Sequence, residues 1–327
     1  MSENRPVSGF VSGFVSILGR PNAGKSTLLN AMVGDKLAIV SNKPQTTRGL
    51  VQGVVTMERA QMAFLDTPGV HESPRLLHRR MMAAVREALE GRDLLLWVAD
   101  ATRPFAQEDR ESLAVLAGNP APCLLVLNKI DALRDKGALL PLIAQFGEAR
   151  EFRESALVSA KTGEGLDELK ELIAGTLPEG PRYFPEDHIT DQPERHLAAE
   201  FIREEALEAT AQEVPHAVAV LIDQWDEGGP VTRIAATIVV ERQGQKKIVI
   251  GAGGAMLKRI GSGARAQIER MLGRRVYLEL FVKVRKDWRE NPGFLNELDW
   301  RLQMGGEAAG PRAIDWPVEA EVEESGE

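Results

Sequence analysis

Along the first half of the chain the apolar residues fall in short, nearly unbroken runs. Residues 14–18, 61–65, 94–99, 124–127 and 156–158 are such runs, closed by Gly, Asp, Asn or Ser. A strand covered on both faces has no polar side, so it reads as a continuous run instead of alternating. Segments of helical character lie among the runs, at residues 27–33, 75–90 and 166–177. In the second of these Leu76, Leu77, Met81, Met82, Val85 and Leu89 share one face. A further strand is expected over residues 52–57. The alternation predicts an α/β domain, a doubly wound and mostly parallel sheet with its site at the carboxyl ends of the strands.

The second half reads differently. A helix is expected from 194 to about 212, with Phe201, Ile202, Ala206 and Leu207 on one face. Two strands follow at 216–225 and 232–242, separated by the turn 226–230. The second leads into Lys246-Lys247-Ile248-Val249-Ile250 and the loop Gly251-Ala252-Gly253-Gly254, which the pattern places between strand and helix. A helical stretch 255–272, broken near Gly261-Ser262-Gly263, and a strand 275–284 complete an α-β-β-α-α-β order. This predicts a smaller α+β domain.

The expected divisions are a first domain over 1–180, a linker over 181–194, a second domain over 195–290 and an extension over 291–327. The linker is rich in proline and acid, yet Tyr183, Phe184 and Ile189 are anchors that should hold it along a domain surface. The tail from 305, with Glu319, Glu321, Glu323 and Glu324, reads as an acidic disordered segment. The N-terminus repeats Val-Ser-Gly-Phe at 7–10 and 11–14, and the copies ahead of the strand at 14–18 are expected to be a frayed extension. One cysteine, Cys123, excludes a disulfide framework and fits a reducing cytoplasm. No apolar run approaches a membrane span, and no signal peptide is evident.

Net charge is −8, which alone argues against nucleic acid. The average hides a basic block. Residues 233–301 carry 15 Lys/Arg against 7 Asp/Glu, between acidic segments with 3 against 12 at 181–232 and 1 against 7 at 302–327. Such a block is the footprint of an anionic partner, though a solvated charged surface gives the same count.

Chemistry concentrates where the runs end. Gly19-Arg20-Pro21-Asn22-Ala23-Gly24-Lys25-Ser26-Thr27 has the G-x-x-x-x-G-K-[ST] spacing of a phosphate loop, after a strand and before a helix. Its glycines let N–H groups turn toward a polyphosphate at a helix N-terminus. Lys25 can reach the β- and γ-phosphates, and the Ser26 hydroxyl can ligate Mg²⁺. Asp66-Thr67-Pro68-Gly69 ends the next strand, where Asp66 can hold Mg²⁺ through water and Gly69 can approach a γ-phosphate. Asn128-Lys129-Ile130-Asp131 offers a carboxylate that accepts from guanine N1–H and its amine, and Ser159-Ala160-Lys161 closes the series. Adenine presents no such donor pair, so the ligand is GTP or GDP.

In this order the motifs resemble the translation-factor-like GTPases. The resemblance makes Gln45-Thr46-Thr47-Arg48 part of switch I, with Thr47 a ligand of Mg²⁺ and γ-phosphate. Ras-like proteins carry a water-orienting Gln after the switch II glycine, and here that residue is Val70. Arg48 lies in the loop from which an arginine finger could come. In several related GTPases an asparagine at the position of Asn22 helps hold K⁺ in place of that finger. Potassium stimulation through Asn22 and a purely structural hydrogen bond there both remain open.

The second half resembles a type II KH domain, in which Gly251, Ala252, Gly253 and Gly254 clamp single-stranded RNA with Lys246, Lys247, Lys258, Arg259 and Arg265 around them. The family often has a basic residue before the last glycine, where this chain has Gly253. A plain α/β domain packed on the first is the other reading. Over roughly residues 10–295 the chain resembles the bacterial Era GTPases, with Tyr183-Phe184-Pro185-Glu186-Asp187, Glu194-Arg195 and Lys286-Asp287-Trp288 strengthening the match. The resemblance implies a monomeric, slow GTP-hydrolysing switch that binds 16S ribosomal RNA near its 3′ end during 30S maturation. It also implies a cytoplasmic protein, with a peripheral contact to the cytoplasmic membrane in some members. A nucleotide-gated RNA-binding module whose hydrolysis is incidental is the alternative.

Overall fold

The computed structural model describes residues 9–41, 43, 46–70, 75–210, 214 and 217–303. Gln45 of switch I and the acidic residues of the tail therefore lie outside the described residues. The first domain is built on β1 (Val11–Leu18), α1 (Lys25–Val33), β2 (Val51–Thr56), β3 (Ala60–Asp66), α2 (Leu76–Glu87), β4 (Leu94–Asp100), α3 (Gln107–Leu113), β5 (Cys123–Asn128), α4 (Leu139–Ala149), β6 (Glu154–Leu157) and α5 (Leu166–Ala174). Strand order is β2-β3-β1-β4-β5-β6. Only β2 runs antiparallel, against β3, so the sheet is mostly parallel as its apolar runs predict. The helices between strands cover both faces. One layer gathers Val15, Ile17, Leu28, Phe64 and Leu169, the other Trp97, Leu125, Phe146 and Val85.

Three expectations shift here. Val11 and Ser12 are buried strand residues, so the second copy of the repeat is part of β1. They cannot fray because Val11 pairs with Arg59 and Glu179, and Ser12 N–H donates to Pro178 at 3.1 Å. The last helix of the domain stops at Ala174, where Gly175 caps it, ahead of the expected 177. Helices α3 and α4 add to the expected elements, and α4 buries Leu139, Leu142 and Phe146 along one face.

The linker crosses the sheet edge as its anchors suggest. Tyr183 lies against Phe14 with ring centroids 5.2 Å apart, and Gln61 exchanges hydrogen bonds of 2.9 Å with the backbone of Phe184. Val54 N–H donates to Ile189 at 2.8 Å.

The second domain contains α6 (Glu194–Ala209), β7 (Ala219–Asp226), β8 (Thr232–Val240), α7 (Gln243–Ile250), α8 (Ala255–Leu272) and β9 (Val276–Val284). Strand β8 pairs antiparallel with β7 and parallel with β9. The element order matches expectation, but its two central helices are divided elsewhere. Residues 246–250, expected to continue a strand, are helical, so the glycine loop joins helix to helix. Helix α8 runs unbroken through Gly261-Ser262-Gly263. Those glycines serve close packing: a Cβ on Gly263 would lie 2.2 Å from the Glu205 carboxylate, and one on Gly261 3.3 Å from Leu280.

Residues 292–303 also fold, as α9 (Pro292–Glu297) and α10 (Trp300–Gln303). Phe294, Leu295 and Trp288 join Leu77 and Met81 of α2 with Ala219 and Val239 in one cluster that crosses between the domains. Trp288 is fully buried, its Nε1–H donating to Ala217 at 2.9 Å, so its removal should cost about 3–5 kcal/mol. Among the described residues no helix is long and apolar enough to cross a membrane.

Candidate functional site

At the carboxyl ends of the parallel strands the separated motifs meet. Gly24 takes φ +93° and caps α1, and a Cβ there would fall 2.3 Å from Asn128 Nδ2. Gly69 leaves room for the phosphate loop, since a Cβ on it would meet Pro21 Cα at 2.8 Å. Ala23 is buried, while Asn22 and Thr27 border the cleft that Lys25, Ser26, Val40, Thr46 and Thr47 complete. Thr67 is buried and its hydroxyl donates to Ile17 at 2.8 Å, which together with buried Pro68 fixes the start of switch II.

The electrostatics of the cleft ask for a ligand. Lys25 is buried, and its Nζ donates to the carbonyls of Gly19 and Arg20, both at 3.1 Å. Burial pushes its pKa down to about 8 against the pull of Asp66. Asp66 is fully buried, and burial raises it to about 6 although Lys25, Ser26 and Thr47 draw it down. Its Oδ2 accepts from Ser26 Oγ at 2.6 Å and lies 3.4 Å from Thr47 Oγ1, while the two hydroxyls are 2.8 Å apart. Its Oδ1 has no partner among the described residues. Three hard oxygens with an unsatisfied buried carboxylate suit Mg²⁺, which takes few protein oxygens and keeps its waters.

On the base side, Asn128 is a rivet. Its Oδ1 accepts from Lys129 N–H at 2.8 Å and Ala160 N–H at 3.0 Å, and its Nδ2 donates to Ala23 at 3.0 Å. Lys129 sits at φ +70° and sends Nζ to Asn22 O and Asp100, both at 2.7 Å. Asp131 is exposed, with Oδ1 accepting from Ser159 Oγ at 2.7 Å. Lys161 is exposed at the rim.

Two arginines do not serve the cleft. Arg20 turns away to an ion pair of 3.0 Å with Asp109, because α3 presents that carboxylate from the neighbouring strand's exit. Arg48 is no finger, since Nη1 donates to Val218 at 2.8 Å and the guanidinium lies over Trp288 of the second domain. Val70 is buried among Leu18, Val85 and Trp97, where it orients no water.

The glycine loop is the second concentration of unusual backbone. Gly251 has φ +72° with ψ 177°, Gly253 φ +56° and Gly254 φ +83°. A side chain on Gly251 would also strike Met256 at 2.7 Å. Helix α8 starts directly after, so its N–H groups face the loop. On the flanking helices Lys247, Lys258, Arg259 and Arg265 are exposed and Lys246 is half-buried, with Arg265 the farthest from the loop along α8.

Known proteins fit both halves. A family model described as a 50S ribosome-binding GTPase matches residues 14–129, and a KH domain model matches 213–289. GTPase Era of Geobacter metallireducens is 50% identical over 293 residues, covering 89% of this chain and 98% of that protein. The chain belongs to the Era GTPase family. It hydrolyses GTP. Era of Staphylococcus haemolyticus is 43% identical over 290 residues. A variant of Aquifex aeolicus Era bound to GDP·AlF4⁻ superimposes with a TM-score of 0.86 at 41% identity, over 89% of this chain and 99% of that one. Equally similar, at 0.86 and 41%, is Era in complex with MgGDPNP and nucleotides 1506–1542 of 16S ribosomal RNA.

In this Era GTPase the second domain grips the loop between α1 and β2, which the sequence did not reveal. Arg203 of α6, 2% exposed, donates Nη2 to the carbonyl of Thr46 at 2.5 Å. The next residue, Glu204, accepts from Val40 N–H at 2.7 Å and pairs with Lys36. Ile39 is counted into the apolar core of the second domain. Both ends of the loop that borders the nucleotide cleft are therefore held by one helix of the second domain.

Proposed function

We propose that the protein is a GTP-driven switch on small-subunit ribosomal RNA, binding 16S rRNA near its 3′ end and assisting 30S assembly in the cytoplasm. Ser26 and Thr47 would ligate Mg²⁺ directly and Asp66 through water, and the ion would neutralise charge building on the phosphates. Asp131 would read guanine, and Gly251–Gly254 would clamp the RNA backbone. The observation that carries the switch is the α6 grip on switch I through Arg203 and Glu204. Thr47 stands beside the gripped carbonyl, so a γ-phosphate that draws in Thr47 pulls on the KH domain.

RNA affinity measured with GTP and with GDP tests this. Coupling of this kind is worth about 5–150-fold. Arg203→Lys retains a charge for Glu200 but lacks the fork that also reaches Thr46, so it should shrink the difference to about twofold or less. An undiminished difference would remove α6 from the coupling. Crosslinking of bound RNA in both states would locate its site.

Val70 favours a second reading, a nucleotide-gated RNA module with incidental hydrolysis, because no described side chain orients the attacking water. Potassium is the candidate substitute. Asn22 borders the cleft at φ +64°. Turnover should be several-fold faster in KCl than in NaCl at matched ionic strength, and equal rates would leave Asn22 a structural role.

The clamp has its own test. Gly253→Asp with Gly254→Asp places two carboxylates at positive φ against the RNA backbone. RNA affinity should drop about a hundredfold while GTP turnover without RNA holds. Retained affinity would move the clamp elsewhere.

A further inference from the structure

Between the first domain, α6 and the carboxyl-terminal helices lies a cavity of about 430 Å³, within the range of small-molecule sites. It is separate from the nucleotide cleft except that Thr47 stands on both walls. Leu77, Ala84, Ala199, Leu298 and Trp300 give it an apolar lining. Its charged groups are Arg48, Arg80, Arg203 and Arg301 against Glu87, Glu200 and Asp299, and burial lowers the pKa of His196.

Two of these cations make no ion pair among the described residues: Arg48 lies over Trp288 and feels Glu200, and Arg301 lies over Trp300 and feels Asp191. Arg203 is paired with Glu200 at 2.5 Å, and Arg80 donates to Asn296 at 2.8 Å. Arg48 and Arg301 have no carboxylate within ion-pair distance among the described residues. Their hydrogen bonds go to the backbone carbonyls of Val218 and Leu50, at 2.8 and 3.0 Å. Among the described residues, Nε of each and Nη1 of Arg203 are buried without a partner. Burial, reinforced by Arg203, pushes Arg48 down to about 9. Orphaned buried donors are rare, and guanidinium forks match the geometry of oxyanions.

We propose that this cavity binds a small phosphate monoester carrying an apolar body, its oxyanion taken by Arg48 and Arg301 and its body lying on Leu77 and Ala199. Such a ligand gives the orphaned N–H groups of the two guanidiniums an acceptor and fills the apolar part of the cavity. Because Thr47 and Arg48 form part of the wall, its binding is linked to the nucleotide site, and nucleotide affects it reciprocally.

The test uses the full chain loaded with Mg·GDP, so that the phosphate loop is filled. Phenyl phosphate, inorganic phosphate and phenol are titrated separately by calorimetry. Phenyl phosphate should bind saturably at one site, about tenfold or more tighter than phosphate, and phenol should not bind. Arg301→Ala removes a charge and Ala199→Phe fills the cavity with both arginines retained. Each should weaken phenyl phosphate about tenfold or more while GDP affinity stays at the parent value, which reports an intact fold. No saturable binding, or binding unchanged in both variants, overturns the proposal. Inorganic phosphate binding as tightly as the ester overturns the apolar part of the assignment.

Discussion

Asp131→Asn will turn this GTPase from GTP toward XTP. The Ser159 hydroxyl donates to Asp131 Oδ1, and it can donate equally to the amide oxygen of asparagine. That bond fixes the rotamer of the variant, leaving the NH₂ group pointed where the second carboxylate oxygen stood. Guanine brings N–H donors to that place, so donor meets donor. Xanthine brings a carbonyl there and accepts. Turning one charge-assisted hydrogen bond into a donor–donor contact and the other into a neutral one costs about 4 kcal/mol, roughly a thousandfold in GTP affinity. Asp131 is exposed and keeps its Ser159 contact, so thermal unfolding of the empty protein should stay within about 0.5 kcal/mol of the parent. Equilibrium titration with fluorescent GTP and XTP measures both arms. Unchanged GTP affinity would show that Asp131 does not read the base.

The residues behind this prediction were legible because phosphate and guanine chemistry leaves little choice of side chain. A loop that must approach a phosphate needs Gly24 at positive φ, and a base edge with two donors needs a carboxylate such as Asp131. Apolar runs located the strands because a doubly covered strand has no polar face. Legibility ended where a residue type had two physical uses. Gly261 and Gly263 read as helix breakers, yet they let α8 approach Leu280 and Glu205. Residues 246–250 read as an extension of a strand, yet Gln245 caps them into a helix by accepting from the backbone of Arg242 at 2.9 Å. Arg48 shared a loop with Thr47 and still turned the other way, because buried Trp288 offers its ring face.

The grip of α6 on switch I was beyond reach for another reason. Arg203 and Thr46 are 157 residues apart, and nothing in either neighbourhood names the other. Local pattern specifies elements, and long-range contacts depend on how domains dock. This docking rests on apolar residues that look like ordinary core in sequence. Leu77 and Met81 are two of the five stripe positions that fall within α2, and they face the second domain.

Lys25→Ala separates the switch from its alternative, with an equally large effect. The Lys25 ammonium is buried with two carbonyls and Asp66 around it, and burial has already pulled its pKa to about 8. In the empty protein that charge is poorly compensated, so deleting it should cost little stability. A bound triphosphate supplies the missing counter-charge. Deletion therefore removes a charge-assisted bond and leaves phosphate oxygens unpaired beside Asp66, a loss of about 3–5 kcal/mol or a thousandfold in affinity. Thermal unfolding without nucleotide should remain near the parent, while fluorescent GTP binding falls into the high micromolar range or below detection. The RNA response then decides between readings. A variant whose RNA affinity ignores added GTP but that fails in ribosome assembly requires the nucleotide cycle. If it binds RNA and supports assembly as the parent does, hydrolysis is incidental and the grip on switch I is only a domain contact.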